Sequence, residues 1–420
     1  MVGRALLVGI HPRKESEADA ANLLEELESL VATLGVPVAD RILVRVPRLQ
    51  AGYLAGTGKA AEIVARAKLL EADVLIFDNE LTPGQQRNWE QLAEMTVIDR
   101  QEVILDIFGR RARTREARLQ VELARMEYNL PRLTRGWTHL SRQGGGIGGR
   151  GEGETQLETD RRLVRKQIDR LKAEIAEVRS SRATQRKQRE RVPLPNAAIV
   201  GYTNAGKSSL LKRLTGANVL VEDKLFATLD TTTRRVELPS GQPLLLTDTV
   251  GFVRRLPHQL VDSFRATLEE ATLADFLIHV VDASHPLAIE FHNTTRAVLA
   301  DLGAGDKPTL TVFNKIDLPS GAGQAEVLRL HFPGAVFLST KTGEGIPALM
   351  EAMVAQLATR IAERRLVLPP DRADLLAMLH REGKVLTEKW ESDRIEVSAM
   401  IPPKFDALFA PFRRPPPPTE

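Results

Sequence analysis

The sequence predicts an α/β chain of several units: an N-terminal parallel α/β domain, an antiparallel helical hairpin with a Gly-rich tip, a P-loop domain on a mainly parallel six-stranded sheet, and a small C-terminal α+β domain. Three observations predict it. Short apolar runs alternate with helical spacing up to about residue 108 and again after residue 196. Two heptad-like apolar stripes lie between those stretches, on either side of a glycine-rich run. Gly201 to Ser208 reads GYTNAGKS, the G-x-x-x-x-G-K-[ST] pattern of a phosphate-binding loop. The expected bounds are 1–112, 113–192, 196–362 and 363–410, with a Pro-rich tail at 411–420. A length of 420 residues fits about three domains at ~150 residues each.

In the first unit, Arg4 to Ile10, Asp40 to Val46, Val74 to Phe77 and Val97 to Ile98 read as strands. Ala18 to Leu34 spaces Leu23, Leu27, Leu30 and Leu34 as a helix and stops at Gly35. Thr57 to Lys68 and Pro83 to Glu94 also read as helices, the second with proline in its first turn. Gly56-Thr57-Gly58-Lys59 imitates a second phosphate loop, but Tyr53 stands where the first glycine belongs. A surface turn opening a helix is the better reading.

In the second unit, Leu119, Leu123, Met126, Leu130 and Leu133 step by four, three, four and three. Leu157, Val164, Ile168, Leu171, Ile175 and Val178 form a similar stripe. Two such helices pack as an antiparallel hairpin, so the stripes are core and not a cofactor site. The connection runs from Ser141 to Thr155, and seven of the ten residues from Gly144 to Gly153 are glycine. Its Gly144, Gly146 and Gly149 match a dinucleotide fingerprint by letters only, because no strand precedes them.

Charge is concentrated in this hairpin. Arg110 to Arg142 carries nine Arg against three Glu, and Arg161 to Arg191 carries twelve Lys or Arg against four acids. These stretches hold +14 of a chain whose net charge is +3, so the remainder is net −11. A solvated helical face usually mixes both signs. An arginine excess flanking a glycine loop suits phosphate backbones, and with few aromatics nearby it suits structured RNA better than a stacked single strand.

In the third unit, Ala197 to Val200 precedes the loop as a strand and Ser209 to Leu214 follows as a helix. Gly201 and Gly206 permit the tight turn that aims the N–H groups of Tyr202, Thr203, Asn204 and Ala205 at phosphates. Lys207 is placed to reach the β- and γ-phosphates, and the Ser208 hydroxyl to ligate Mg²⁺. Leu244 to Thr247 is a strand ending in Asp248-Thr249-Val250-Gly251, a carboxylate near the metal and a glycine N–H for the γ-phosphate. Phe276 to Asp282 and Thr309 to Phe313 are further strands, the latter ending in Asn314-Lys315-Ile316-Asp317. The Asp317 carboxylate can accept from two donors on guanine that adenine lacks, which selects GTP. Val336 to Leu338 is a last strand, after which Ser339-Thr340-Lys341 can close over the base. This order of motifs looks like the G domain of translation-factor-related GTPases.

Lys224 to Arg235 occupies the place of a switch loop, where one threonine must complete the Mg²⁺ shell. Thr228, Thr231, Thr232 and Thr233 are all candidates by spacing. Phe252 stands where Ras-type enzymes carry a water-orienting glutamine, so slow intrinsic hydrolysis accelerated by a partner is expected. Beyond Arg364, Leu366 to Leu368, Lys384 to Trp390 and Arg394 to Met400 read as strands and Asp371 to Glu382 as a helix. The tail from Pro411 reads as extended. His380 reads as surface or helix packing, not as a ligand.

No run reaches the ~18 apolar residues of a membrane helix, the N-terminus lacks a cleavage-site pattern, and there is no cysteine. A cytoplasmic monomer without stable membrane insertion is expected.

GYTNAGKS, FATLD, DTVG and NKID, preceded by QVELARMEYNLPRLTRGWTHL and GGIGGRGEGETQLETDRR, resemble HflX, the family of ribosome-associated GTPases. The similarity runs from about Arg41 beyond Asn314, and GETQLETDRR is its most specific part. It implies GTP as substrate, GDP as product, Mg²⁺, binding to the large ribosomal subunit and its RNA with no role for DNA, and dissociation of stalled or idle ribosomes. It implies that FATLD supplies the metal threonine, Thr228, with Phe226, Ala227, Leu229 and Asp230 beside the nucleotide. Lys207, Thr228 and Gly251 then carry catalysis, and the glycine loop reaches toward the peptidyl-transferase centre. The family pattern usually has proline after LD, where this chain has Thr231. A nucleotide-dependent RNA-remodelling enzyme and a non-catalytic RNA-binding protein stabilised by GTP are the competing readings.

Overall fold

The computed structural model describes residues 3–133, 153–189, 194–216, 225–226, 228–229, 231–255, 270–358, 362–382, 384–391, 393–401 and 405–413. The expected tip at 144–152, the proline-rich tail from 414, Ala227 and Asp230 lie outside the described residues.

Strands β1 (Ala5–Pro12), β2 (Val38–Val46), β3 (Val74–Phe77) and β4 (Thr96–Asp99) form a parallel sheet in the order β2-β1-β3-β4. Helices α1 (Glu17–Thr33), α2 (Thr57–Leu69) and α3 (Pro83–Ala93) make the crossovers. Their starts are fixed locally. The Ser16 side chain accepts from Asp19 N–H, and Thr82 and Gln85 form a reciprocal capping box. Thr57 opens α2 after Gly56, so GTGK is a helix start, as expected.

One helix was not legible in the sequence: α4, Arg100–Arg111, leaves β4 directly, with Asp99 as its N-cap. It buries Val103, Ile104, Leu105, Ile107 and Phe108, an apolar run too dense to show a single-faced period.

The hairpin consists of α5 (Arg115–Asn129), a 3₁₀ turn at Leu130–Arg132, and α6 (Gly153–Arg189). Leu123, Ile168, Leu171 and Ile175 are buried together, with Leu119, Met126, Leu130 and Val164 packed around them. The two stripes therefore meet as the heptad spacing requires. Arg162, Arg165, Lys166 and Arg170 of α6 are exposed.

The P-loop unit contains β5 (Asn196–Gly201), α7 (Lys207–Thr215), β6 (Thr232–Glu237), β7 (Pro243–Asp248), β8 (Phe276–Asp282), α8 (Ala288–Asp301), β9 (Thr309–Asn314), α9 (Pro319–His331), β10 (Val336–Phe337) and α10 (Ile346–Ala358). The sheet has six strands in the order β10-β9-β8-β5-β7-β6, and only β6 runs antiparallel. The carboxyl ends of β5, β7, β8, β9 and β10 thus converge on one rim, where α/β sheets bind ligands.

Last, β11 (Ala362–Leu368), α11 (Ala373–Glu382), β12 (Lys384–Trp390), β13 (Ile395–Ile401) and the short α12 (Asp406–Phe409) surround a separate core. The sheet is antiparallel in the order β11-β13-β12. β11 starts earlier than the sequence indicated. His380 is exposed and 2.8 Å from Glu388, so it is a surface residue.

The N-terminal sheet unit and the P-loop unit share one apolar cluster, which joins Leu105 and Phe108 of α4 to Phe226, Leu229, Val250, Phe252 and Val253. The Phe108 and Phe226 rings meet edge-on, 4.6 Å between centroids. Beside this cluster Arg100 pairs with Glu26 at 2.8 Å and with Asp78 at 2.7 Å, all three side chains under a tenth exposed.

Candidate nucleotide and active site

The phosphate loop turns between β5 and α7. Gly206 sits at φ +96°, and a Cβ there would collide with Asn314 Nδ2, so glycine is required twice over. Lys207 begins α7 and is buried, and its ammonium donates to the Tyr202 carbonyl at 2.8 Å. Burial pushes Lys207 down to about 8, partly offset by the Asp248 carboxylate. Asp248 is raised, chiefly by the same burial and against the pull of Lys207 and its hydroxyl partners. This is a cation and an anion taken out of water in advance of a charged ligand.

Three elements meet at Asp248. Its Oδ2 accepts from Ser208 Oγ at 2.6 Å and from Thr228 Oγ1 at 3.0 Å, and the two hydroxyls are 2.7 Å apart. Its Oδ1 is buried with no hydrogen-bond partner among the described residues. Two hydroxyls and an under-satisfied carboxylate form the all-oxygen set that suits Mg²⁺. Of the four candidate threonines, Thr228 lies here. Thr233 instead pairs with Thr247 at 2.9 Å, Thr232 opens β6, and Thr231 just precedes that strand.

The DTVG segment presses onto the phosphate loop. Thr203 N–H donates to the Phe252 carbonyl at 2.8 Å and Phe252 N–H to the Gly201 carbonyl at 3.1 Å. A Cβ on Gly251 would lie 2.6 Å from Thr203 Cγ2 and 2.9 Å from Lys207 Nζ, so only glycine fits against the loop. Thr203 Oγ1 is buried and unpartnered among the described residues. Thr249 Oγ1 donates to the Ile199 carbonyl at 2.8 Å, fixing the segment to the sheet, and Val250 is buried. Phe252 is buried, with no donor or acceptor on its side chain for a water.

The base side is braced by Asn314. Its amide donates to the Ala205 carbonyl at 2.9 Å and its carbonyl accepts from Thr340 N–H at 3.0 Å. Asp317 accepts from Ser339 Oγ at 2.7 Å, and Lys315 pairs with Asp282 at 2.6 Å. Ile316 is half-buried, Asn204 and Lys341 are exposed, and Phe226 and Leu229 are buried against the N-terminal unit.

Sequence reasoning missed the contacts that cross between units. Tyr202 Oη donates to Glu26 and accepts Arg254 N–H at 2.6 Å, while its ring stacks on Phe291 at 3.9 Å. Arg254 reaches Glu26 at 3.4 Å and Glu290 at 3.2 Å, and Arg255 reaches Asp78 at 3.2 Å. No local pattern marks pairs this far apart in the chain; the adjacent arginines after DTVGFV were the one available signal.

Residues 21–109 match a family model described as GTP-binding GTPase N-terminal, residues 111–189 one described as GTP-binding GTPase middle region, and residues 196–315 one described as 50S ribosome-binding GTPase. The chain is 52% identical over 417 residues to a GTPase HflX of Akkermansia muciniphila, covering 96% of this chain and 95% of that one. It is 43% identical over 391 residues to the GTPase HflX of Escherichia coli, covering 93% and 91%. Among solved structures, a GTP-binding protein from Sulfolobus solfataricus in complex with GDP is 23% identical, covering 85% of this chain and 99% of that one, with a TM-score of 0.43. Among the described residues no helix is long and apolar enough to cross a membrane.

Proposed function

The chain belongs to the HflX family of GTPases, and from that premise we propose that GTP binding at the β5–β9 rim switches its grip on the large ribosomal subunit, dissociating stalled or idle ribosomes. The observation that carries the reading is the convergence of Ser208, Thr228 and Asp248 from the phosphate loop, the switch segment and β7.

The residues divide the work. Backbone N–H groups of the phosphate loop and the start of α7 hold the β-phosphate. Lys207 moves its ammonium from the Tyr202 carbonyl to the β- and γ-oxygens. Ser208 and Thr228 would hold Mg²⁺, which supplies charge neutralisation on the β- and γ-phosphates. Gly251 N–H meets the γ-phosphate, so Gly251 and Phe252 must lift from Thr203 when a nucleoside triphosphate enters. Asp317 reads guanine, and Asn314 locks base loop to phosphate loop.

Phe252 leaves the attacking water without a side-chain partner, so hydrolysis is slow alone and quickened by the ribosome. The exposed arginines of α6 grip ribosomal RNA through its phosphates. The site of action is the cytoplasm and the working form a monomer.

The test is GTP turnover with and without large subunits, repeated after deleting 144–153. Stimulation by subunits that the deletion reduces is expected. Equal turnover with and without subunits rejects the reading. ATP turnover that survived Lys207→Ala would favour the RNA-remodelling alternative instead.

A further inference from the structure

The switch threonine is bracketed by contacts that leave the P-loop unit. Thr228 is half-buried, and its Oγ1 lies 3.0 Å from Asp248 Oδ2 and 2.7 Å from Ser208 Oγ. The apolar residues around it are committed elsewhere. Phe226 and Leu229 are each 2% exposed, and Leu225 packs against the same cluster. That cluster includes α4 of the N-terminal unit, whose Phe108 meets the Phe226 ring edge-on at 4.6 Å between centroids. We propose that Phe108 is a positioning residue for the nucleotide site: by seating Phe226 it places the Thr228 hydroxyl where Mg²⁺ is to be held. The inference deepens the proposed function and rests on its assignment of Thr228 to the metal, not on the ribosome.

The backbone separates positioning from ordinary packing. Phe226 stands at φ +55°, in the left-handed region that a bulky side chain rarely adopts. Filling an apolar gap does not require that conformation. It persists only where the surroundings over-determine it. Here the surroundings are the Phe108 ring and the cluster behind it. Fixing Phe226 fixes its neighbours, because Thr228 lies at most about 7 Å further along the chain. Leu229, directly after Thr228, is the second anchor. With apolar anchors on both sides, the hydroxyl between them has little freedom to leave Asp248.

The seat is itself held firmly. Phe108 is fully buried, and Leu105 of the same helix belongs to the same cluster. Asp99 caps the start of α4 by accepting Glu102 N–H at 3.1 Å, and it also accepts from Tyr128 Oη of α5 at 3.0 Å. The helix is thus tied to the end of β4 and to the hairpin. Groups that orient a metal ligand matter almost as much as the ligand, and losing one typically lowers metal affinity about 10–100-fold. The N-terminal unit then does more than carry the basic hairpin: it supplies part of the support for the metal site.

The experiment uses the full chain and a fluorescent, non-hydrolysable GTP analogue, whose equilibrium binding is followed as Mg²⁺ is titrated. The proteins are the wild type, Phe108→Ala, Phe108→Leu, Thr228→Ala, the double variant Phe108→Ala/Thr228→Ala, and Ile63→Ala, a core truncation in the other apolar cluster of the N-terminal unit. Thermal unfolding checks that each is folded, and Phe108→Leu decides if Phe108→Ala does not fold. Phe108→Ala should raise the Mg²⁺ needed for half-saturation about tenfold. Phe108→Leu, which keeps the apolar bulk and loses the ring edge, should raise it about threefold. Ile63→Ala should leave it unchanged. In the Thr228→Ala background Phe108→Ala should add nothing, because the two residues act as one unit. Hydrogen exchange of the metal-free chain is a second readout: the amides of Phe226, Thr228 and Leu229 should exchange faster in Phe108→Ala. An unchanged Mg²⁺ dependence in the folded Phe108 variants, an equal shift in Ile63→Ala, or full additivity with Thr228→Ala overturns the proposal. If Thr228→Ala itself leaves the Mg²⁺ dependence unchanged, the assignment of Thr228 to the metal fails and the proposal with it. A shift in Thr228→Ala with none in the Phe108 variants rejects the proposal alone.

Discussion

The Tyr202 phenol, in the second position of the phosphate loop, donates to the Glu26 carboxylate on α1, tying the nucleotide site to the N-terminal sheet unit. The same carboxylate pairs with Arg100 at 2.8 Å and with Arg254 at 3.4 Å. Glu26 is thus the shared anion of two arginines and a phenol. Removing the anion strands buried Arg100 beside Asp78 alone, whereas removing the phenolic hydroxyl strands no charge. We expect Glu26→Ala to cost about 3–5 kcal/mol. Tyr202→Phe should cost about 1–3 kcal/mol, since it leaves Arg254 N–H without its acceptor. Denaturant midpoints measure both, and a Tyr202→Phe loss as large as that of Glu26→Ala contradicts the ranking.

Lys207 gives a pH dependence. Its ammonium sits at about 8 in the nucleotide-free chain. Phosphates beside it raise that value, so between the two values the complex holds one proton more than the free chain. Affinity for GDP should hold steady below pH 8 and fall about tenfold per unit above it. Equilibrium titrations from pH 6.5 to 9.5 test this. Lys207→Ala should bind weakly and lose the dependence.

We expect Asp317 to set base choice. Ser339 occupies one of its oxygens, which orients the carboxylate edge. Asp317→Asn should move preference from guanine toward xanthine nucleotides, because the new amide donates where the carboxylate accepted. Competition between GDP and xanthosine diphosphate reports it, and an unchanged guanine preference removes Asp317 from base reading.

Much of this was legible in the sequence because the chemistry is local. GYTNAGKS carries its own strand–turn–helix context, and DTVG and NKID each end a strand that pairs into the same sheet. The hairpin was legible because its stripes repeat at heptad spacing. α4 was not, because burial on several sides erases a helical period. Spacing also could not choose Thr228 among four threonines. That choice depends on where the switch segment lies against β7, which resemblance to a family supplied and side-chain geometry now describes. The Glu26 junction was invisible for the same reason: its partners come from three separate segments of chain.

Glu102, at the start of α4, gives an independent test of the N-terminal unit. Burial, then the Asp99 and Asp106 carboxylates, push it up to about 7 from an ordinary 4.5. The folded chain therefore holds a proton that the unfolded chain has lost, and stability falls as pH rises from 4.5 to 7. Glu102→Gln should be nearly neutral at pH 4.5 and stabilising by about 3 kcal/mol at pH 8. Unfolding curves at both pH values decide it, and an equal effect at both denies that Glu102 titrates in this range.

The most direct measurement is the affinity of the full chain for purified large ribosomal subunits with a non-hydrolysable GTP analogue, with GDP, and with no nucleotide. In the proposed switch a γ-phosphate lifts Gly251 and Phe252 from Thr203, which predicts tightest binding with the analogue and loss of that difference in Thr228→Ala. Equal affinity in all three states would contradict it.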